Sequence, residues 1–220
     1  MNLSVNQPEI DNNTRASTDR QSKSGDGSSE TTVAAVILAG GLARRMGGVD
    51  KGLVELRGEP MVSWALQRVA PQVARIVINA NRNHEEYGKF AVPVIADSID
   101  GHLGPLAGLL TALQYFDEEY VFMCPCDSPF LPETMVSRML AAMQAEEPAT
   151  LAVATDGVRS QPVFLLAHKS CESTLAGFLA AGERKIDRWF VQEKLVEVSF
   201  ADCPDAFRNI NTEDLSLIHI

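Results

Sequence analysis

The chain changes character at Val33. Met1 to Thr32 is Ser, Asn, Asp, Thr and Gln with almost no large apolar residue. Such a segment buries too little surface to offset the entropy of ordering, so 1–32 is predicted to be a disordered polar tail. Beyond it, apolar residues follow two rhythms. Continuous, largely β-branched runs predict buried strands at Val33–Leu38, Arg75–Asn79, Val92–Ile95, Tyr120–Cys124, Leu151–Thr155, Pro162–Leu166 and Val196–Phe200. Helical spacing predicts helices over Met61–Val69, Pro105–Phe116, Pro132–Gln144, Ser173–Ala180 and Arg184–Phe190, with Pro60 suited to the first helix start. Strands alternating with helices predict an α/β fold with a mostly parallel sheet covered on both faces. There is no internal repeat.

Length and charge narrow this picture. The chain has 220 residues, enough for one α/β domain with a substantial core. Its formal net charge of -10 disfavours nucleic acid or an anionic membrane as partner. A local basic cluster can still bind phosphate, because nearby charges outweigh a screened global field. The 4 cysteines form no secretory framework, no run is long enough to span a bilayer, and the start has no apolar signal core. A cytoplasmic protein is expected. The last six residues, "LSLIHI", look non-native and match translation of the adapter CTGTCTCTTATACACATC. The domain is therefore expected to cover 33–214, and the same codons in intact genomic DNA would overturn this reading of 215–220.

Candidate chemistry gathers where strands end. After Val33–Leu38 the chain reads "AGGLARRMGGVDKG". Gly40 and Gly41 let backbone approach a ligand, and successive N–H groups there form an anion-binding concavity. Arg44, Arg45 and Lys51 add positive charge, a combination suited to a triphosphate. The run is neither a P-loop nor G-x-G-x-x-G. Asp127, in "CPCDSPFLP", follows another strand, where one carboxylate can hold Mg²⁺ against phosphate; taken alone it fits a helix cap or turn equally well. Asn79 and Asp97 end two further strands. Gly40, Asn79, Asp97 and Asp127 thus place glycine or polar groups at four strand ends, as a nucleotide pocket requires. Gly104 and Gly108 surround a helix start, a candidate second anion surface or a plain loop-to-helix junction. His102 reads as a surface loop residue. Asn209 and Asn211 alternate along an extended segment and would face one way, or form a loop before a helix cap. Cys124 and Cys126 read as structural, since a closed zinc site needs four ligands.

In this order, "LAGGLARRMGGVDKG", "INANR", "DS…GPLAGL", "CPCDSPFLP" and "NINT" resemble the molybdenum cofactor guanylyltransferases, from about Val33 to Glu213. The first motif is shared by many nucleotidyltransferases; "RRMGGVDKG" with "CPCD" and "NIN" is more specific. The resemblance implies a Rossmann-like, three-layer nucleotidyltransferase fold that transfers GMP from GTP to molybdopterin carrying molybdenum, releasing pyrophosphate. It implies GTP contacts at Leu38, Ala39, Gly40, Gly41, Lys51, Asn79, Asp97 and Asp127, with Asp127 as the Mg²⁺ ligand. Lys51 and Arg45 would stabilise the leaving pyrophosphate, and Gly104, Asn209 and Asn211 would lie on the pterin side. Molybdenum-insertion and molybdoenzyme-maturation proteins are expected partners. The polar tail lies outside the family's core, and "NTED" stands where the family has "NTPE". Rival readings are a CTP-dependent molybdopterin cytidylyltransferase, a sugar-phosphate nucleotidyltransferase, and a noncatalytic GTP- or cofactor-binding chaperone.

Overall fold

The structure, a computed structural model, describes residues 31–39, 50–99, 104–146 and 148–208. Seven strands form one sheet in the order β5-β4-β1-β6-β8-β7-β9. They are β1 (Val33–Leu38), β4 (Arg75–Asn79), β5 (Val94–Ile95), β6 (Tyr120–Pro125), β7 (Leu151–Thr155), β8 (Ser160–His168) and β9 (Leu195–Ser199). A two-stranded hairpin, β2 (Glu55–Leu56) with β3 (Glu59–Pro60), stands apart. The helices are α1 (Met61–Val69), α2 (His84–Tyr87), α3 (Pro105–Tyr115), α4 (Met135–Ala145), α5 (Cys171–Ala180) and α6 (Ile186–Phe190).

Strand β1 explains why the sheet is buried on both faces. Ala35 and Ile37 join one core with Val62, Ala65 and Val69 of α1 and Met135 and Met139 of α4. Ala34 and Val36 join the other with Leu106, Leu109 and Leu113 of α3, Leu175 of α5 and Trp189 of α6. Alternate residues of a strand point to opposite faces, so a strand between two helical layers must be apolar throughout. Helix α3 is buried from Leu106 to Leu113 without a break, as expected of a helix that is apolar all round.

The sheet is mostly parallel, as expected. β5, β4, β1 and β6 run parallel, as do β7 and β9, while β8 is antiparallel to both neighbours. The short connection between Thr155 and Ser160 makes β7–β8 a hairpin, since a parallel crossover needs a dozen or more residues. Several boundaries move. The strand expected from Val92 begins at Val94, because Ala91 is left-handed (φ 57) and Pro93 has no N–H to donate. The helix expected from Pro132 begins at Met135, and Gln72 caps it from a neighbouring turn: its Oε1 accepts from Val136 N at 3.0 Å and its Nε2 donates to Pro132 O at 3.0 Å. The helices expected from Ser173 and Arg184 begin at Cys171 and Ile186.

Candidate active site

Four parallel strands deliver their carboxyl ends to one edge of the sheet. Hydrogen bonds run past the last paired residues: Ala39 N donates to Asn79 O at 2.8 Å, Cys126 N to Leu38 O at 3.0 Å, and Ala80 N to Ile95 O at 2.9 Å. Leu38, Ala39, Asn79, Asp97 and Asp127 therefore stand at the sheet edge where open α/β folds bind ligands.

Two clusters form there. In the first, Lys51 Nζ donates to Asp127 Oδ2 at 2.9 Å. Lys51 opens a short 3-10 turn, Lys51–Leu53, and Asp127 follows β6. In the second, Asp97 gathers two amides. Asn79 Nδ2 donates to its Oδ1 at 3.0 Å and Asn81 Nδ2 to its Oδ2 at 2.7 Å, while Asp97 N donates back to Asn81 Oδ1 at 2.8 Å. Helix α3 closes over this cluster at Gly108. A Cβ there would stand 2.5 Å from both Asn79 Oδ1 and Leu38 Cδ2, so no larger residue fits without displacing one of them. At the start of the same helix Gly104 is left-handed (φ 79), a conformation that glycine adopts without strain. Gly40, Gly41, Arg44, Arg45, His102, Asn209 and Asn211 lie outside the described residues.

The sequence reading missed a third cluster, around Asp50. This buried carboxylate accepts from Tyr87 Oη at 2.5 Å, Gly52 N at 3.3 Å and Asn83 Nδ2 at 3.0 Å, and Arg82 Nε lies 3.4 Å away. Burial, then the bond to Asp50, pushes the Tyr87 phenol far above its ordinary value. One signal was present: Asp50 directly precedes Lys51, and "NRNHEEY" directly follows the "INA" strand end. Nothing in one sequence says that these segments meet.

Asp127 is the described residue that fits a metal at this edge. Mg²⁺ takes oxygen ligands and is commonly held by one or two carboxylates plus substrate phosphates. A single carboxylate whose second oxygen is not used by Lys51 suits that arrangement. Among the described residues no three His, Cys, Asp or Glu side chains gather into an all-protein cage. Cys124 and Cys126 are buried, free thiols. Burial, then the Asp127 carboxylate, pushes both well above the ordinary thiol value.

This layered α/β sheet is the fold of solved nucleotidyltransferase structures, with the Lys51–Asp127 pair at its carboxyl edge. The chain belongs to the family of the MobA-like NTP transferase domain, which matches residues 35–197. It is 53% identical over 182 residues to a molybdenum cofactor guanylyltransferase of Shewanella halifaxensis, covering 83% of this chain and 90% of the relative. It is 54% identical over 180 residues to one of Shewanella baltica, covering 82% and 91%. Among solved structures, molybdopterin-guanine dinucleotide biosynthesis protein A of Archaeoglobus fulgidus shares the fold with a TM-score of 0.69 at 22% identity, covering 84% of this chain and 96% of that one. A CMP:2-keto-3-deoxy-manno-octonic acid synthetase complexed with CTP also shares it, with a TM-score of 0.60 at 12% identity, covering 76% and 90%. No helix among the described residues is long and apolar enough to cross a membrane.

Proposed function

We propose that this chain transfers GMP from GTP to molybdopterin carrying molybdenum, giving the guanine dinucleotide form of the cofactor and pyrophosphate. The observation that carries the reading is sequence identity above one half to relatives of that name, along most of their length. The fold alone does not choose the nucleotide, since a synthetase complexed with CTP has the same one.

The terminal phosphate of molybdopterin attacks the α-phosphorus of GTP, and pyrophosphate leaves. The attacker is already an anion, so no strong general base is needed. Two anions must instead be brought together and aligned. Lys51 supports this step by holding a cation at the sheet edge, where charge on the leaving pyrophosphate would be stabilised. Arg45 is assigned the same task by its motif. Asp127 would hold Mg²⁺, which supplies charge neutralisation and a template for the phosphates when bound. Asn79 and Asp97 would contact the nucleotide, with Leu38, Ala39, Gly40 and Gly41 beside it and Gly104, Asn209 and Asn211 towards the pterin. On this reading the reaction would run in the cytoplasm, and molybdenum-insertion and molybdoenzyme-maturation proteins would supply and receive the cofactor.

The test is turnover with each nucleoside triphosphate in parallel, with Mg²⁺ and loaded molybdopterin. Pyrophosphate release with GTP alone is expected. Preference for CTP would convert the assignment to a cytidylyltransferase. Transfer to a sugar phosphate instead of the pterin would replace the acceptor, and binding without turnover would leave a carrier.

A further inference from the structure

We propose that Asp50 and Tyr87 are positioning residues for Lys51, a buried carboxylate–phenol clamp that fixes where the ammonium stands against Asp127. The inference deepens the proposed function and rests on that reading for its kinetic consequence.

Lys51 needs outside support. Its turn is three residues long, too short to hold itself, and a lysine side chain is flexible. Support comes from the residues on either side of it. Asp50 uses Oδ1 for Tyr87 Oη and Gly52 N, and directs Oδ2 to Asn83 Nδ2 and Arg82 Nε. Gly52 is pressed against the same phenol: a Cβ would stand 2.5 Å from Tyr87 Oη and 3.2 Å from Cys126 Sγ. Tyr87 thus contacts the chain immediately before and immediately after Lys51. Cys126, the other wall at Gly52, immediately precedes Asp127. Both members of the ion pair are therefore located by one packed contact.

The clamp is more than a turn cap. Capping requires only the bond from Gly52 N to Asp50, which a neutral Asn could also accept. A buried carboxylate is costly to desolvate unless several groups satisfy it, and here a phenol, an amide and a guanidinium converge on one. Removing the phenol hydroxyl leaves the cap intact and releases the clamp.

Tyr87→Phe keeps the ring and its packing against Phe90. It is expected to lower kcat with GTP and molybdopterin roughly 10- to 100-fold, the scale of a misplaced catalytic group, with KM for GTP little changed. In a Lys51→Ala background the same substitution is expected to leave kcat unchanged, because the group being positioned is gone. An equal loss in both backgrounds would overturn the clamp.

A second measurement needs no substrate. Isotope-labelled reductive methylation reports each lysine by NMR, and the Lys51 signal is the one lost in Lys51→Arg. Asp127→Asn gives its position when unpaired, and Tyr87→Phe is expected to move it towards that position. A Lys51 signal unmoved by Tyr87→Phe, or already unmoved by Asp127→Asn, would overturn the proposal. Absence of turnover in the wild-type protein would refute the functional reading, while the NMR signal would still decide the clamp.

Discussion

Lys51 Nζ and Asp127 Oδ2 stand 2.9 Å apart although 76 positions separate them in sequence. The pair joins the end of the glycine-rich loop to the end of β6. It is neither a surface ion pair nor a deeply buried one: the side chains are 30% and 12% exposed. Charges in such a part-buried setting interact more strongly than on an open surface, because water screens them less.

Asp127→Ala is expected to abolish turnover while the protein stays folded. The substitution removes the carboxylate proposed to hold Mg²⁺, a loss of several kcal/mol of transition-state stabilisation by order of magnitude. Lys51 is partly exposed, so water can solvate the ammonium left behind. Pyrophosphate release and the near-UV circular dichroism of the same sample check both halves. Near-normal turnover in a folded variant would rule out the metal role.

Lys51→Ala is expected to slow catalysis more than it weakens GTP binding. Charge on the bridging oxygen grows as pyrophosphate departs, so a fixed cation gains more in the transition state than in the ground state. The barrier should rise by roughly 2–4 kcal/mol, the scale of one lost preorganised donor. Single-turnover rates beside a GTP titration separate the two effects. Weaker affinity with an unchanged rate at saturation would leave Lys51 as a simple anchor.

Much of this site is legible before folding because its residues mark strand ends. Asn79, Asp97 and Asp127 each follow an apolar run, and parallel strands must deliver those ends to one edge. The antiparallel β8 is also readable from its short connection, although helix–strand alternation alone conceals it. Contacts between loops are hidden. Asp50 is one polar residue beside a lysine, and Tyr87 closes α2, a helix of four residues that the apolar pattern does not predict. Their bond spans 37 positions, and no periodicity encodes such a contact. Asn81 is likewise half of a loop contact, with its importance residing in Asp97, 16 positions away.

Gly108→Ala is expected to weaken GTP binding without removing the Lys51–Asp127 pair. The added methyl would meet Asn79 Oδ1 and Leu38 Cδ2, each at 2.5 Å. Relief requires Asn79 to move, and Asn79 is bonded to Asp97. Overpacking of this kind costs roughly 1–3 kcal/mol, shared here between stability and nucleotide affinity. Calorimetric titration of GTP, with a thermal melt of the same variant, measures both. Wild-type affinity and wild-type melting together would mean that α3 yields freely at this contact.

Alkaline pH is expected to destabilise the fold through its buried thiols. Burial, with Glu193 beside it, pushes Cys171 from an ordinary 9.0 to about 12. Burial raises Cys124 and Cys126 as well, with Asp127 adding to both. In the unfolded chain these thiols release their protons near the ordinary value, while the folded chain retains them. Above that value the unfolded state binds fewer protons, so the stability of the fold falls as pH rises. For Cys171 the contribution is complete below about 9 and declines towards about 12. Urea melts from neutral to alkaline pH should show the decline, and Cys171→Ala should flatten part of it. Lysine deprotonation acts on both proteins alike, so the difference between the two curves isolates the thiol. In the native protein at neutral pH, the partly buried Cys203 should react with a thiol reagent before the three buried cysteines. Parallel melting curves for wild type and Cys171→Ala across that range would show that Cys171 takes no part in the alkaline loss.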